Sequence, residues 1–203
     1  MSKEIVDMRK EEIINACEKL YKNNSFKDIT IKSIGEETTF SRTSIYNYFQ
    51  TKEEIFLALL KREYERWIDD LNEMYEKNSE MTKEVFADKL ANTVAKRNNL
   101  LKLLSMNMYD MEENSRMEEL IEFKRAYGNA INMVRKCIDK FFGKMSDEEK
   151  EDFVFLFFPL MYGIYPYAEV TEKQRQAMDS ADVLFKYLSI YDITYKGIIK
   201  LLS

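Results

Sequence analysis

Apolar positions recur along this chain at helical spacing. Ile13, Cys17, Leu20 and Tyr21 fall on one stripe and predict a first helix over 3–23, which Asn23, Asn24 and Ser25 end. Thr30 caps a short second helix over 31–37. After Thr38, Thr39 and Phe40, Ser41 opens a third over 42–49. Two short helices around a tight turn make a helix-turn-helix pattern. A long fourth helix is predicted over 52–78, with Ile55, Leu59, Ile68, Leu71 and Met74 or Tyr75 on its inner side. Further helices are expected over 83–96, 98–111, 116–142, 147–168 and 190–202, with a short one over 172–180. Several starts carry a hydroxyl followed three residues later by an acid or amide, the reciprocal cap of a helix N-terminus. Thr51 with Glu54, Ser115 with Glu118, Ser146 with Glu149, Thr171 with Gln174 and Ser189 with Asp192 fit that spacing or nearly so.

Composition sharpens the picture. Only 5 Gly and 2 Pro punctuate 203 residues, so an all-α fold is expected: an N-terminal three-helix helix-turn-helix domain over 1–52 and a C-terminal helical bundle over 53–203. The net charge of -5 conceals an asymmetry. Residues 1–52 are nearly neutral, and the acidic excess lies beyond them. Cys17 and Cys137 lie far apart on apolar faces, which reads as reduced core thiols and a cytoplasmic location. The longest apolar run, 153–168, falls short of the roughly 18 residues of a membrane span. It reads as a buried helix.

The segment from Thr30 to Glu54, with Ser41-Arg42-Thr43-Ser44-Ile45-Tyr46-Asn47-Tyr48-Phe49-Gln50-Thr51-Lys52 as its most specific stretch, resembles the DNA-binding domain of the TetR/AcrR family of regulators. The resemblance covers about the first 60 residues. Physical reasons support it. Ile34, Phe40, Ile45 and Phe49 can meet Ile13, Cys17 and Leu20 in one small core that aims the third helix, and Ser41 is placed to cap it. The resemblance implies that Arg42, Thr43 and Asn47 reach base edges, while Thr30, Ser44, Tyr46, Tyr48 and Lys52 bind the DNA backbone. Thr39 stands where the family has the glycine of the turn. A β-branched residue resists positive φ, so some remodelling of the turn is expected.

The C-terminal region is rich in aromatic and thioether side chains. Trp67, Met74, Met106, Tyr109, Phe123, Tyr127, Met161, Tyr162 and Tyr165 are candidates to line an adaptable apolar pocket for a small-molecule effector, flat or greasy in character. The predicted helix over 147–168 is apolar round most of its circumference and must be covered on all sides. A second copy of the chain is the expected cover, meeting it through 147–168 and 190–202, as two late helices do in the family.

The sequence therefore reads as a dimeric, sequence-specific regulator of transcription, a repressor released from a palindromic operator by a small effector. Neither a cofactor, a metal nor a membrane enters this reading. Catalysis is disfavoured: there is no His, no glycine-rich phosphate loop, no paired Cys motif and no Gly-x-Ser-x-Gly elbow. The alternative is a dimeric helical ligand-binding or interaction protein whose DNA head has lost its function.

Overall fold

A computed structural model describes residues 3–106 and 108–203. Every regular element among them is helical. The chain divides into two compact units, 1–64 with 107–127, and 65–106 with 128–203.

The first unit begins with α1 (Lys3–Tyr21), α2 (Ile31–Glu36) and α3 (Arg42–Ile45). It continues into α4 (Lys52–Glu76), and later in the chain it gains α7 (Met108–Glu113) and the opening turns of α8 (Met117–Phe141). Its core forms where the apolar stripe of α1 meets the undersides of the next helices: Ile13, Cys17, Ile34, Ile45 and Phe49 have no exposed surface. Phe56 adds edge contacts to Tyr21 and Phe26 at 5.2 and 4.8 Å. Phe40 and Leu20 are only half-buried and sit at the rim of this core. The Arg9 guanidinium lies 4.7 Å over the Phe40 ring.

The second unit holds the remainder of α4 and α8 with α5 (Lys83–Ala95), α6 (Asn98–Leu104), α9 (Asp147–Ala168), α10 (Glu172–Ser180) and α11 (Ile190–Leu201). α11 packs on α5 and α9. Gly197 permits the α9 contact, since a Cβ there would stand 2.5 Å from Leu160 Cδ2. Trp67, Phe86, Phe153, Phe157 and Met161 fill the centre with no more than 1% exposure. The thiols of Cys17, in the first unit, and Cys137, in the second, are buried, and burial pushes both up to about 12.

Two expectations are corrected. The helix expected over 98–111 ends at Leu104, where Ser105 Oγ donates to the Lys102 carbonyl, and α7 begins at Met108; residue 107 lies outside the described residues. Ser115 does not cap α8: its hydroxyl donates back to the Met111 carbonyl at 2.7 Å, finishing α7 instead. Within the protomer α9 buries one face and leaves its apolar outer face uncovered. Phe153, Val154, Phe157, Phe158, Met161 and Ile164 point inward, whereas Phe155 and Leu156 are 65% and 56% exposed. Ser146–Glu149, Thr171–Gln174 and Ser189–Asp192 each close a reciprocal pair as the spacing predicts, whereas Thr51 accepts from the Glu54 amide without a return bond from the Glu54 carboxylate. Such a cap contributes about 1 kcal/mol. Pro159 and Pro166 sit inside α9 and deprive the Phe155 and Tyr162 carbonyls of their helical donors. Among the described residues no single helix is long and apolar enough to cross a membrane.

Candidate nucleic-acid interface

The geometry of α3 follows from its alternation of apolar and polar residues over one turn. Ile45 and Phe49 are fully buried, which fixes the underside of the segment, and Arg42, Thr43, Tyr46 and Asn47 are exposed on the other side. Arg42 and Tyr46, one turn apart, brace each other: an Arg42 Nη2 donates to the Tyr46 hydroxyl at 3.3 Å. Ser41 Oγ lies 3.1 Å from Ser44 Oγ, a pairing that leaves the helix N-terminus without a side-chain cap, contrary to expectation. The helix is also shorter than the expected 42–49. Beyond Ile45 the amides of Asn47 and Tyr48 bond three residues back, to the Ser44 and Ile45 carbonyls, so the segment tightens into turns before Phe49.

α2 starts on a reciprocal cap in which Thr30 Oγ1 accepts from the Ser33 amide at 3.1 Å and Ser33 Oγ accepts from the Thr30 amide at 2.9 Å. Thr30 itself is exposed. The turn between α2 and α3 does not place Thr39 in the left-handed region; among the described residues Asp182, at φ 52°, is the only non-glycine there. α1 supports that turn directly. The Thr39 amide donates to Glu12 Oε1 at 2.5 Å, and an Arg9 Nη1 donates to the Thr39 hydroxyl at 3.2 Å. The hydrogen bond donated by the Thr39 amide holds the Glu12 carboxyl below its ordinary value.

Tyr48 and Lys52 are occupied inside the unit. Tyr48 is 8% exposed, and its ring lies 6.2 Å from that of Phe40. Lys52 Nζ donates to the Phe26 and Ile29 carbonyls at 2.9 and 3.2 Å and lies 3.9 Å from the Phe26 ring, so it ties the α1–α2 loop to the start of α4.

The far end of the α3 segment is held by a residue outside the motif. Arg116, next to α8, donates through Nε to Glu54 Oε1 at 2.7 Å, and through Nη2 to Glu54 Oε2 at 2.9 Å and to the Tyr48 carbonyl at 3.1 Å. Its own amide also donates to Glu54 Oε1 at 3.0 Å, and the Gln50 amide donates to Oε2 at 2.7 Å. Burial pushes the Glu54 carboxyl up, but the donors from Arg116 and Gln50 outweigh it and hold it below its ordinary value. Nothing in the local sequence marked Arg116, because its hydrogen-bond partners lie more than 60 residues earlier.

The candidate effector residues are divided between the units. Trp67, Met74, Met106, Met161, Tyr162 and Tyr165 belong to the second, and Tyr109, Phe123 and Tyr127 to the first. Trp67 and Met161 have no exposed surface, and Met74 is 6% exposed. Phe123 is buried and stacks on Tyr127 at 6.5 Å, whereas Tyr109 is 86% exposed and stands in solvent.

Comparisons with known proteins agree with this architecture. Residues 13–59 match the family described as bacterial regulatory proteins, tetR family, and residues 61–186 match a tetracyclin repressor-like C-terminal domain. A curated relative, the uncharacterized HTH-type transcriptional regulator YfiR of Bacillus subtilis (strain 168), is 32% identical over 79 residues, 39% of this chain and 38% of that protein. The fold is similar to that of the regulator FadR from Bacillus subtilis, solved in complex with stearoyl-CoA, with a TM-score of 0.60, 16% identity and 95% and 97% of the two chains covered. It is similar also to Thermus thermophilus FadR in complex with lauroyl-CoA, with a TM-score of 0.57, 15% identity and 95% and 93% coverage. A head that presents one polar face of a braced helix, followed by a helical C-terminal domain matched over most of its length, places the chain in the tetR family of bacterial regulatory proteins.

Proposed function

We propose that this chain is a cytoplasmic repressor that binds a palindromic operator as a homodimer and is released by a small, largely apolar or aromatic effector. The division of labour is a DNA-reading head over 1–52 and an effector-binding and dimerisation region over 53–203. The single observation that carries the DNA-reading role is the α3 segment, apolar and buried beneath, polar and exposed above. Arg42, Thr43 and Asn47 read base edges, and Thr30, Ser41, Ser44 and Tyr46 position the head on the backbone. Tyr48 and Lys52 flank the same contact, with Lys52 adding charge from the loop it already holds.

Selection of bound fragments from random duplex DNA at physiological salt tests this reading. A recovered palindrome is the expected result, with half-sites about one helical turn apart. Arg42→Ala should relax the sequence requirement at one position of each half-site and cost about 1–3 kcal/mol of discrimination there. Recovery of no common sequence by the unaltered protein would end the proposal.

The effector assignment rests on two observations. Two proteins of similar fold are solved with fatty acyl-CoA molecules, and the interior of the second unit is built from Trp67, Met161 and other apolar side chains. Because those side chains are closely packed, an effector enters only by displacing some of them, which Met tolerates well. Release of DNA then follows if the effector favours a separation of the two heads that misfits the operator, and the operator must weaken effector binding by the same factor.

A further inference from the structure

The α3 segment has little means of fixing its own direction. Its regular part is four residues long, and a single hydrogen bond of the four-residue helical kind, from the Phe49 amide to the Ile45 carbonyl, reaches its end. A turn this short does not hold its axis unaided. The buried side chains of Ile45 and Phe49 set which side faces inward, and the backbone at the outer end is held separately through the Tyr48 carbonyl.

Arg116 supplies the missing constraint. Its guanidinium spans two fixed points, the Tyr48 carbonyl at the end of the segment and the Glu54 carboxylate on α4. Glu54 has no exposed surface, and its oxygens receive four donors: three from Arg116 and one from the Gln50 amide in the α3–α4 turn. A second strut lies alongside, where Thr51 Oγ1 donates to the Asn114 carbonyl at 2.9 Å. Planar, two-pronged contact of this kind fixes angle as well as distance, which an ammonium cannot do. The part-buried pairs nearby, Lys10 with Glu119 and Lys61 with Glu122, are held by lysine ammonium groups and lack that geometry.

From this we infer that Arg116 is a positioning residue for DNA reading: through Tyr48 and Glu54 it sets the tilt at which α3 presents Arg42, Thr43 and Asn47. The inference rests on the proposed DNA-reading role of α3. It adds to that role a determinant in the α7–α8 junction, outside the helix-turn-helix.

The test compares two probes by fluorescence anisotropy at one salt concentration: the duplex recovered by the unaltered protein, and a duplex of random sequence. Arg116→Ala should weaken binding to the recovered duplex by about tenfold or more while changing binding to random duplex by less than about twofold, because phosphate attraction survives a change of tilt. Arg116→Lys, which keeps the charge without the fork, should fall between. Glu54→Gln should lower the preference in the same direction. Circular dichroism checks the helix content of each variant, and if Arg116→Ala unfolds, the comparison rests on the two milder substitutions. Unchanged preference in both Arg116→Lys and Glu54→Gln, or equal losses on both duplexes, would overturn the inference and leave the DNA-reading role standing. If the unaltered protein itself recovers no sequence, the DNA-reading role fails and the inference falls with it.

Discussion

Replacing both Phe155 and Leu156 by Arg is expected to turn a dimer into a monomer without loosening the protomer. These side chains are 65% and 56% exposed on α9, on the face opposite the one that builds the core. Within one copy they therefore contribute little, so helix content should be unchanged, and any fall in melting temperature should reflect only the lost association and shrink as the protein is diluted. Across a twofold interface the same residues appear twice. A Leu or Phe side chain taken out of water contributes about 1.5–3 kcal/mol, so even partial burial in the dimer exceeds about 4 kcal/mol, and its loss weakens association roughly a thousandfold. Sedimentation equilibrium of the unaltered and substituted proteins reads this directly. A variant that stays dimeric would move the interface elsewhere, and an unaltered protein that is monomeric at every concentration would remove it. Operator binding should fail together with the dimer, since a single head covers one half-site.

Trp67→Ala is expected to cost about 3–5 kcal/mol, a large part of the stability of an ordinary domain. The indole has no exposed surface, and it packs against the rings of Phe157 and Phe158, with centroids at 6.3 and 6.0 Å. Its Nε1 donates to Thr93 Oγ1 at 3.0 Å, and Thr93 in turn donates to the Leu90 carbonyl. Truncation opens a cavity and strands a buried acceptor together. Trp67→Phe fills most of the space and loses only the hydrogen bond, for about 1–2 kcal/mol. Urea melts of the three proteins give the ordering, and a cost below about 1 kcal/mol for the alanine variant would mean that the centre collapses easily. The same residue tests the effector proposal, because it is the chain's one tryptophan. An effector that displaces the packing around it must change its fluorescence.

Much of this architecture is local in origin and was therefore legible. Ser146 with Glu149 and Ser189 with Asp192 announce helix starts through contacts three residues apart, and the apolar stripe containing Ile13 and Cys17 names the core of the head. What escaped was decided by competition or by distance. Ser115 had a capping partner in Glu118 but bonds backward to Met111, and Ser41 pairs with Ser44, because a hydroxyl has several acceptors within reach. No glycine or proline marks the end of α6 at Leu104. The polar face of α3 was readable from Arg42 to Asn47; the hold of Arg116 on its end was not, since 68 residues separate Arg116 from Tyr48. Which residues of α9 form its outward face was not readable for a related reason. Phe155 and Leu156 are as apolar as their buried neighbours, and only the fold determines which of them meets the interior.

The two cysteines make the molecule its own timekeeper. Only thiolate attacks a disulfide reagent, and with each sulfur enclosed and its proton held to about pH 12, neither reacts until the surrounding helices part. One lies in each compact unit. The rate at which an aromatic disulfide captures Cys17 thus clocks the opening of the head, and capture of Cys137 clocks the other unit, with no label installed. Adding operator should slow the first clock, and adding an effector should alter the second.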